Sequence, residues 1–565
     1  MDTKRFNAAL IGDFNLGTFA NLLSNDESAP LVHADAPPYG QVAQILMNPD
    51  HPTWTTADGS PPDCAVIWTR PDGVIAGFRR LLDFERVPLE DILAEVDFFA
   101  AQIAAAARRV NSVFVPIWTL PTYHEGLGVL DLRDEIGIGN TLMRMNLRLS
   151  EALRDQPNVY LLNTAKWVEA SRNAYQPKAW YMAKVAFGSD VFMAAIKTIK
   201  SALVGIGGKR KKLIVLDLDN TLWGGVVGDV GWENLNLGGH DPLGEAFVDF
   251  QRTLKALTRR GIILGVVSKN EESVALEAIR QHPEMVLRAD DFAGWKINWN
   301  DKAQNVADLV ADLNLGMDAA VFLDDNPVER ARVREMLPGV LVPDLPEDPM
   351  LYVKTLLSLN VFDAPALTAE DAERTKMYVT DRQRTALKTE IGSLDAWLQT
   401  LGVVVTIAPL TASTLPRAAQ LFNKTNQLNL STRRMTDAEL LAWASAPGHA
   451  LWTVSVRDKF GDLGLTGLIS LESDAGIIRD YVLSCRVMGR KVEETMLAYV
   501  VEQARVAGLE QVTATYVPTA KNKPTLDTFM RSGFAHDAET FTWRTADAYP
   551  VPDGISLEAG EAVGG

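Results

Sequence analysis

Apolar runs that stop abruptly at polar residues set the rhythm of this chain. In the first two hundred residues Ala8–Ile11, Cys64–Trp68, Ser112–Trp118 and Asn158–Leu162 are strand-like runs. Helical spacing fills about Leu89–Val110 and Asn140–Arg154 between them. Strands alternating with helices predict an α/β domain with a parallel sheet. A second alternating block begins at Leu213–Leu216, an apolar run ending in Asp217-Leu218-Asp219-Asn220-Thr221-Leu222-Trp223-Gly224-Gly225. Asp241-Pro242 reads as an N-cap with proline in the first turn, opening a helix on Leu243, Phe247, Phe250, Leu254 and Leu257 that Gly261 ends. The run Ile262–Val267 ends at Ser268-Lys269-Asn270; a helix from about Ala303 to Asn314 follows, and Ala320–Leu323 ends at Asp324-Asp325-Asn326-Pro327. Three buried strands with polar tips predict an open sheet whose functional groups meet at one carboxyl edge. The stretch from Gly225 to His240 is expected to form a flap or small hairpin, with Trp223 and Trp232 covering the site.

The last block opens with a charged helical stretch, Thr368–Thr389, expected to bridge domains. Strands Leu451–Arg457, Gly467–Leu471 and Ile477–Ser484 precede a helix from Val492 to Ala507, a strand at Val512–Tyr516 and a helix from Pro524 to Ser532. This predicts a mixed α/β domain. The domains are read as 1–205 with its connector (about Pro177–Ile199), 206–365, 366–545, and a frayed tail at 546–565 rich in Gly, Ala and Glu.

Composition narrows the function classes. With 47% hydrophobic and 22% charged residues the 565-residue chain is ordinary globular protein. Its formal charge of −17 disfavours nonspecific nucleic-acid binding. No apolar run approaches the roughly 20 residues of a membrane span, and the opening residues lack a secretory pattern, so a cytoplasmic protein without membrane contact is expected. Two cysteines, Cys64 and Cys485, leave no disulfide scaffold or thiolate cluster.

In an extended segment Asp217 and Asp219 point the same way, which is costly unless a cation or proton sits between them. Oxygen ligands without a histidine cluster favour Mg²⁺ over zinc. The bland reading is a strand ending in a surface turn with chance acids. Arg486-Val487-Met488-Gly489-Arg490, before a helix, has the character of a turn that presents backbone N–H groups to phosphate.

The order Asp-x-Asp-x-Thr, Ser, Lys, Asp-Asp resembles the haloacid-dehalogenase (HAD) phosphatases. The longer forms Asp217–Gly225, Ser268-Lys269-Asn270 and Asp324–Arg330, with the polar stretch Arg417–Arg434, resemble the FkbH-like subfamily. The opening Gly12-Asp13 is similar to the Gly-Asp-Ser start of SGNH hydrolases, but Phe14 stands where the serine would be, and no late Asp-x-x-His follows. That implies a retained fold without hydrolase chemistry, with Gly139 and Asn140 echoing another block of that family. Asp13, Asn15 and Trp167–Arg172 are candidates to line a cleft there. The C-terminal block is similar to the acyl-CoA N-acetyltransferase (GNAT) fold.

The HAD resemblance implies that Asp217 attacks phosphorus, that Asp219 moves the proton, and that Asp217, the Asp219 carbonyl and Asp324 hold Mg²⁺ with Asp325 nearby. Thr221, Ser268, Lys269, Asn270 and Lys302 would bind phosphate, with Lys296 the rival to Lys302. The FkbH-like resemblance implies a glyceryl transferase/phosphatase of polyketide biosynthesis. Its substrates would be 1,3-bisphosphoglycerate and a holo acyl carrier protein bearing phosphopantetheine, and its product a D-glyceryl thioester. Cys485 is a candidate relay nucleophile, with direct attack by the carrier thiol the other route. Lys424, Thr425, Asn426, Gln427, Asn429, Arg433, Arg434, Asp462, Arg486 and Arg490 are candidates to receive substrate or carrier; an interdomain hydrogen-bond network, and for Asp462 a simple turn, are the plain alternatives. The other function left open is a Mg²⁺-dependent phosphatase fused to an acyltransferase for an amine or hydroxyl, with a non-catalytic scaffold behind it.

Overall fold

The structure is a computed structural model describing residues 5–134, 136–364, 375–382, 384, 387, 391, 393–519 and 521–560. It divides into two compact units, 1–210 with 357–366, and 211–356 with 367–565.

In the first unit five parallel strands, β1 (Phe6–Gly12), β2 (Val32–Asp35), β3 (Cys64–Trp68), β4 (Ser112–Pro116) and β5 (Val159–Leu162), lie in the order β2-β1-β3-β4-β5. Every residue of β3 and β4 is buried, as expected for strands covered on both faces. Helices Leu89–Ala107 and Ile138–Ala152 pack one face through Val96, Ile103, Met145 and Leu149. The other face holds Phe14, Phe19, Trp68 and Phe192. The phenyl ring of Phe14 is therefore core. The expected connector is two helices, Pro177–Ala183 and Ser189–Ile206, the second burying Val191, Ile196, Ile199 and Leu203. Residues 357–364, read from sequence with the central domain, cluster with this unit. Ser201 Oγ donates to Asn360 O and Asp363 Oδ2, and a Cβ on Gly205 would fall 2.6 Å from Asp363 O.

The cleft residues expected at the head of this sheet are engaged internally. Trp167 is buried in helix Thr164–Ala170, and Asn15 accepts from Gly17 N and donates to Ala183 O. Asp13 accepts from Arg70 N at 2.8 Å and Arg70 Nε at 3.3 Å. A Cβ on Gly73 would fall 1.7 Å from its Oδ2, so only glycine leaves it room.

The second unit begins with a four-stranded parallel sheet ordered β8-β7-β6-β9, from β6 (Leu213–Leu216), β7 (Ile263–Ser268), β8 (Phe292–Ile297) and β9 (Ala320–Leu323). The pattern had announced three of these; β8 carries Gly294, Trp295 and Lys296 and shows neither a continuous apolar run nor clean alternation. Helix Pro242–Thr258 starts where Asp241 accepts from Leu243 N and Gly244 N. Helix Lys302–Asp312 sits close on β7, where a Cβ on Gly265 would fall 2.8 Å from Leu309 Cδ2.

The rest of the unit is a mixed sheet ordered β16-β17-β15-β14-β13-β12-β10-β18, with β11 (Leu428–Asn429) paired to β14. Its other strands are β10 (Val403–Pro409), β12 (His449–Asp458), β13 (Gly461–Glu472), β14 (Ile477–Leu483), β15 (Gln511–Thr515), β16 (Ala535–Asp537), β17 (Thr540–Arg544) and β18 (Ile555–Ala559). The last strand corrects the expectation of a frayed tail, because it pairs in parallel along β10 from Val403↔Ile555 to Ile407↔Ala559. Of the expected bridging helix, residues 368–374 lie outside the described residues and 375–382 are helical. Tyr378 packs on the core of the four-stranded sheet, Arg382 donates to Phe292 O and lies over Trp295, and Arg384 is held by Asp381 and Asp458.

Burial pushes the Asp13 carboxyl from 3.8 up to about 6, against the pull of the Arg70 contacts. Between those values the folded chain keeps a proton that the unfolded chain has released, so this group's contribution falls as pH rises through that window, by roughly 3 kcal/mol in all. Asp13→Asn is expected to flatten the decline in melting temperature between about pH 4 and 6. An unaltered slope would show that this carboxyl does not titrate there.

Candidate active site

Register brings the strand tips together. Leu216 pairs with Val266 on one side and Leu323 on the other, so Asp217, Ser268 and Asp324 emerge from three adjacent strands at one edge. Asp217 is 5% exposed, Ser268 1% and Asp324 0%. Lys302, the first residue of its helix, is 4% exposed and reaches Asp217 Oδ2 at 2.8 Å and Asp324 Oδ2 at 2.6 Å. Asp301 fixes that residue by capping the helix, accepting from Gln304 N. Lys296 is instead paired with Asp312 at 2.7 Å.

One ammonium does not balance these acids. Burial raises Asp217 to about 6, against the attraction of Lys302, and burial likewise raises Asp324. Asp325 is raised by burial and then by the Asp217 charge. Burial opposes the Lys302 charge too, but the two carboxylates outweigh it and hold the ammonium above its ordinary value. Asp217 Oδ1 is buried without a hydrogen-bond partner. Asp217, Asp324 and Asp325 each offer an oxygen, all within 4.8 Å of one another. An orphaned oxygen, surplus negative charge and an all-oxygen donor set fit a small hard cation such as Mg²⁺.

Asp219 is not part of that carboxylate cluster. After Asn220, at φ 54°, the chain turns back, and the Asp219 side chain meets N–H donors. Oδ1 accepts from Trp223 Nε1 at 2.9 Å and Val227 N at 3.0 Å, and Oδ2 from Asn270 Nδ2 at 2.9 Å. The carboxylate is thus turned to N–H donors, and the Asp219 group expected to meet a metal is its carbonyl. Trp223 is fully buried with its indole donating to Asp219, and Trp232 lies edge-on to His282. The expected flap holds a short helix, Val227–Val230, closed by reciprocal hydrogen bonds between Gly224 and Asn236.

Three of the expected phosphate ligands are occupied otherwise. Thr221 Oγ1 accepts from Asp325 N at 3.1 Å, Lys269 pairs with Glu329 at 2.6 Å, and both amide hydrogens of Asn270 are taken by Asp219 and Ser268. The pattern gave no role to Arg330, whose Nη1 donates to the carbonyls of Asp324 and Asp325 and so fixes the β9 tip. Its position one turn into helix Pro327–Met336 was the available signal.

The C-terminal candidates form an internal network. Asn429 is 0% exposed, donates to Thr425 O and accepts from Thr432 N, while Thr525 Oγ1 donates to Gln427 O. Arg433 pairs with buried Asp480, and Arg434 donates to Phe422 O and Asn426 Oδ1. Asp462 accepts from Gly464 N in a turn, and Arg486 donates to Ser484 Oγ. In the turn expected to greet phosphate, Gly489 N donates to Glu493 Oε1 and Arg490 is paired with Asp381. Cys485 opens a single turn, Cys485–Val487; its side chain and that of Lys424 lie outside the described residues.

No protein-family model matches the chain, and neither does any curated protein. Among solved structures, the N-terminal part of the protein BF1531 from Bacteroides fragilis, containing a phosphatase domain complexed with Mg, is 30% identical, with 65% of this chain and 97% of that chain covered and a TM-score of 0.58. The chain belongs to that family. Its central domain is HAD-like, and the aspartates, serine and lysine gathered above sit at the carboxyl edge of the HAD-like sheet. A domain from Methanocaldococcus jannaschii (12% identity, 25% of this chain and 97% of that chain, TM-score 0.21) and yncA from Salmonella typhimurium with acetyl-CoA (13%, 26% and 98%, TM-score 0.21) also match, at a similarity that decides nothing here.

Mg²⁺ is expected to raise the melting temperature of the wild-type chain, by the mass action of a ligand that binds only the folded state. Asp324→Asn should remove that rise. An undiminished shift in the variant would place the ion elsewhere.

Proposed function

We propose that the HAD-like domain is a Mg²⁺-dependent phosphatase working through an aspartyl phosphate, in a chain whose C-terminal domain serves acyl transfer. The observation that carries this reading is the buried Asp217–Lys302–Asp324 array with Ser268 on the neighbouring strand. Phosphoryl transfer needs an in-line oxygen nucleophile and positive charge around the equatorial oxygens. Asp217 attacks phosphorus as the bond to the leaving oxygen breaks. Ser268 Oγ–H and Lys302 Nζ hold phosphoryl oxygens. Asp219 gives its proton to the leaving oxygen and then takes one from the water that hydrolyses the aspartyl phosphate. Mg²⁺ held by Asp217, Asp324, Asp325 and the Asp219 carbonyl would supply the positive charge that the single ammonium lacks.

The motif resemblance narrows the substrate. In the FkbH-like reading the chain takes a glyceryl unit from 1,3-bisphosphoglycerate and places it as D-glycerate thioester on a holo acyl carrier protein, with loss of both phosphates. The acyl phosphate yields to thiol attack at carbon, whereas the phosphomonoester needs the Asp217 machinery. The thiol is the carrier's phosphopantetheine or Cys485. An acyltransferase acting on an amine or hydroxyl fits the same two-part architecture, and the GNAT-like order of the C-terminal elements supports it equally. A diphosphate-bearing donor at the Gly489 turn would have to displace Glu493 from the Gly489 N–H.

Phosphate release from a phosphomonoester in Mg²⁺ is expected to fall at least 10⁴-fold, to background, in Asp217→Asn, a loss of about 5 kcal/mol or more in transition-state stabilisation. An unchanged rate would reject the nucleophile. Incubation with 1,3-bisphosphoglycerate and holo carrier should add a glyceryl mass to the carrier; its absence with active enzyme would favour the second acceptor class.

A further inference from the structure

Three donors of different kinds hold the Asp219 carboxylate. A carboxylate oxygen has two lone pairs. On Oδ1 both are used, by the indole Nε1–H of Trp223 and the backbone N–H of Val227. On Oδ2 one is used, by Asn270. The remaining Oδ2 lone pair is therefore the place where Asp219 can carry or accept a proton.

Asn270 does more than occupy the other lone pair. It is 4% exposed, and its single amide nitrogen donates both to Asp219 Oδ2 at 2.9 Å and to Ser268 Oγ at 3.1 Å. Having accepted that hydrogen, the Ser268 hydroxyl keeps its own for a phosphoryl oxygen. Neither aspartate, which has no hydrogen to give when ionised, nor serine, which has one, could hold both groups from this position. The other two donors belong to the turn after β6 and to the start of helix Val227–Val230. Asp219 is thus fixed to three separate pieces of the domain.

We propose that Asn270 and Trp223 are positioning residues that set Asp219 for proton transfer through Oδ2, with Asn270 also orienting the Ser268 hydroxyl. This rests on the phosphatase reading above and makes a prediction that a merely structural role does not. When Asp217 takes the phosphoryl group, an alkyl leaving oxygen needs the proton of Asp219 as its bond to phosphorus breaks. A p-nitrophenolate leaves as the anion without it. Hydrolysis of the aspartyl phosphate needs Asp219 as base whichever substrate supplied the phosphoryl group.

The test is steady-state and rapid-mixing kinetics of the full chain with Mg²⁺ on glycerol 3-phosphate and p-nitrophenyl phosphate, comparing wild type with Asn270→Ala and, as a second variant should that one not fold, Trp223→Phe. Folding is checked by circular dichroism and melting. For the alkyl phosphate kcat/KM should fall roughly 100-fold further than for the aryl phosphate, the scale of general acid catalysis; a loss common to both substrates in Asn270→Ala reports the Ser268 contact. The variants should also release a burst of about one p-nitrophenolate per chain before a slow steady rate, because hydrolysis of the intermediate becomes limiting. Equal losses on both substrates without a burst would overturn the positioning role and leave the phosphatase standing. No turnover of either substrate by the wild type would overturn the phosphatase reading, and this inference with it.

Discussion

The ammonium of Lys302, buried between the carboxylates of Asp217 and Asp324, is the interaction on which the central domain's site depends. Taking three charges out of water is expensive, and leaving one of them without its partner costs several kcal/mol. The sheet makes the arrangement tolerable by fixing the geometry. β6 and β9 are paired up to Leu216↔Leu323, Asp217 N donates to Leu323 O, and Arg330 holds the carbonyls of the β9 tip. The acids nevertheless outnumber the base, and the unpartnered Asp217 oxygen is where that imbalance is concentrated. A cation completes the array, and a phosphoryl group brings oxygens that Lys302 and Ser268 can hold.

Proton handling is separated from this charge cluster although Asp219 is only two residues from Asp217. Period-two alternation alone would aim both carboxylates at one region, but the left-handed Asn220 turns the chain at that point, and Asp219 faces N–H donors instead of the other acids. Two carboxylates of one short motif thereby acquire different surroundings, one crowded with charge and one ringed by neutral donors. Such divergence is how a site assigns different tasks to the same side-chain type.

Much of this could be read from the chain because buried parallel strands are continuous apolar runs, so their polar tips stand out. Asp217, Ser268 and Asp324 were found that way. The fourth strand escaped because Gly294, Trp295 and Lys296 break the run, and Ile555–Ala559 escaped because it is a short, half-exposed edge strand in a compositionally soft tail. Spacing could not choose between Lys296 and Lys302, since the choice depends on which element points each side chain at the sheet edge. Nor could it tell that Trp223 is a buried hydrogen-bond donor to Asp219, because an aromatic near a polar motif reads equally well as cover or as core. In the C-terminal domain the polar stretch around Asn429 invited a reading as an open binding surface, yet its groups satisfy one another. Sequence registers polarity but not where the hydrogen bonds go.

The account turns on a covalent bond between phosphorus and the carboxylate of Asp217. Acid quenching of the chain during turnover with a phosphomonoester and Mg²⁺, followed by peptide mass analysis, measures it directly. The account predicts a phosphoryl adduct confined to Asp217 that appears within a turnover and decays when substrate is exhausted. Turnover with no adduct on this residue, or an adduct on another side chain, would contradict it.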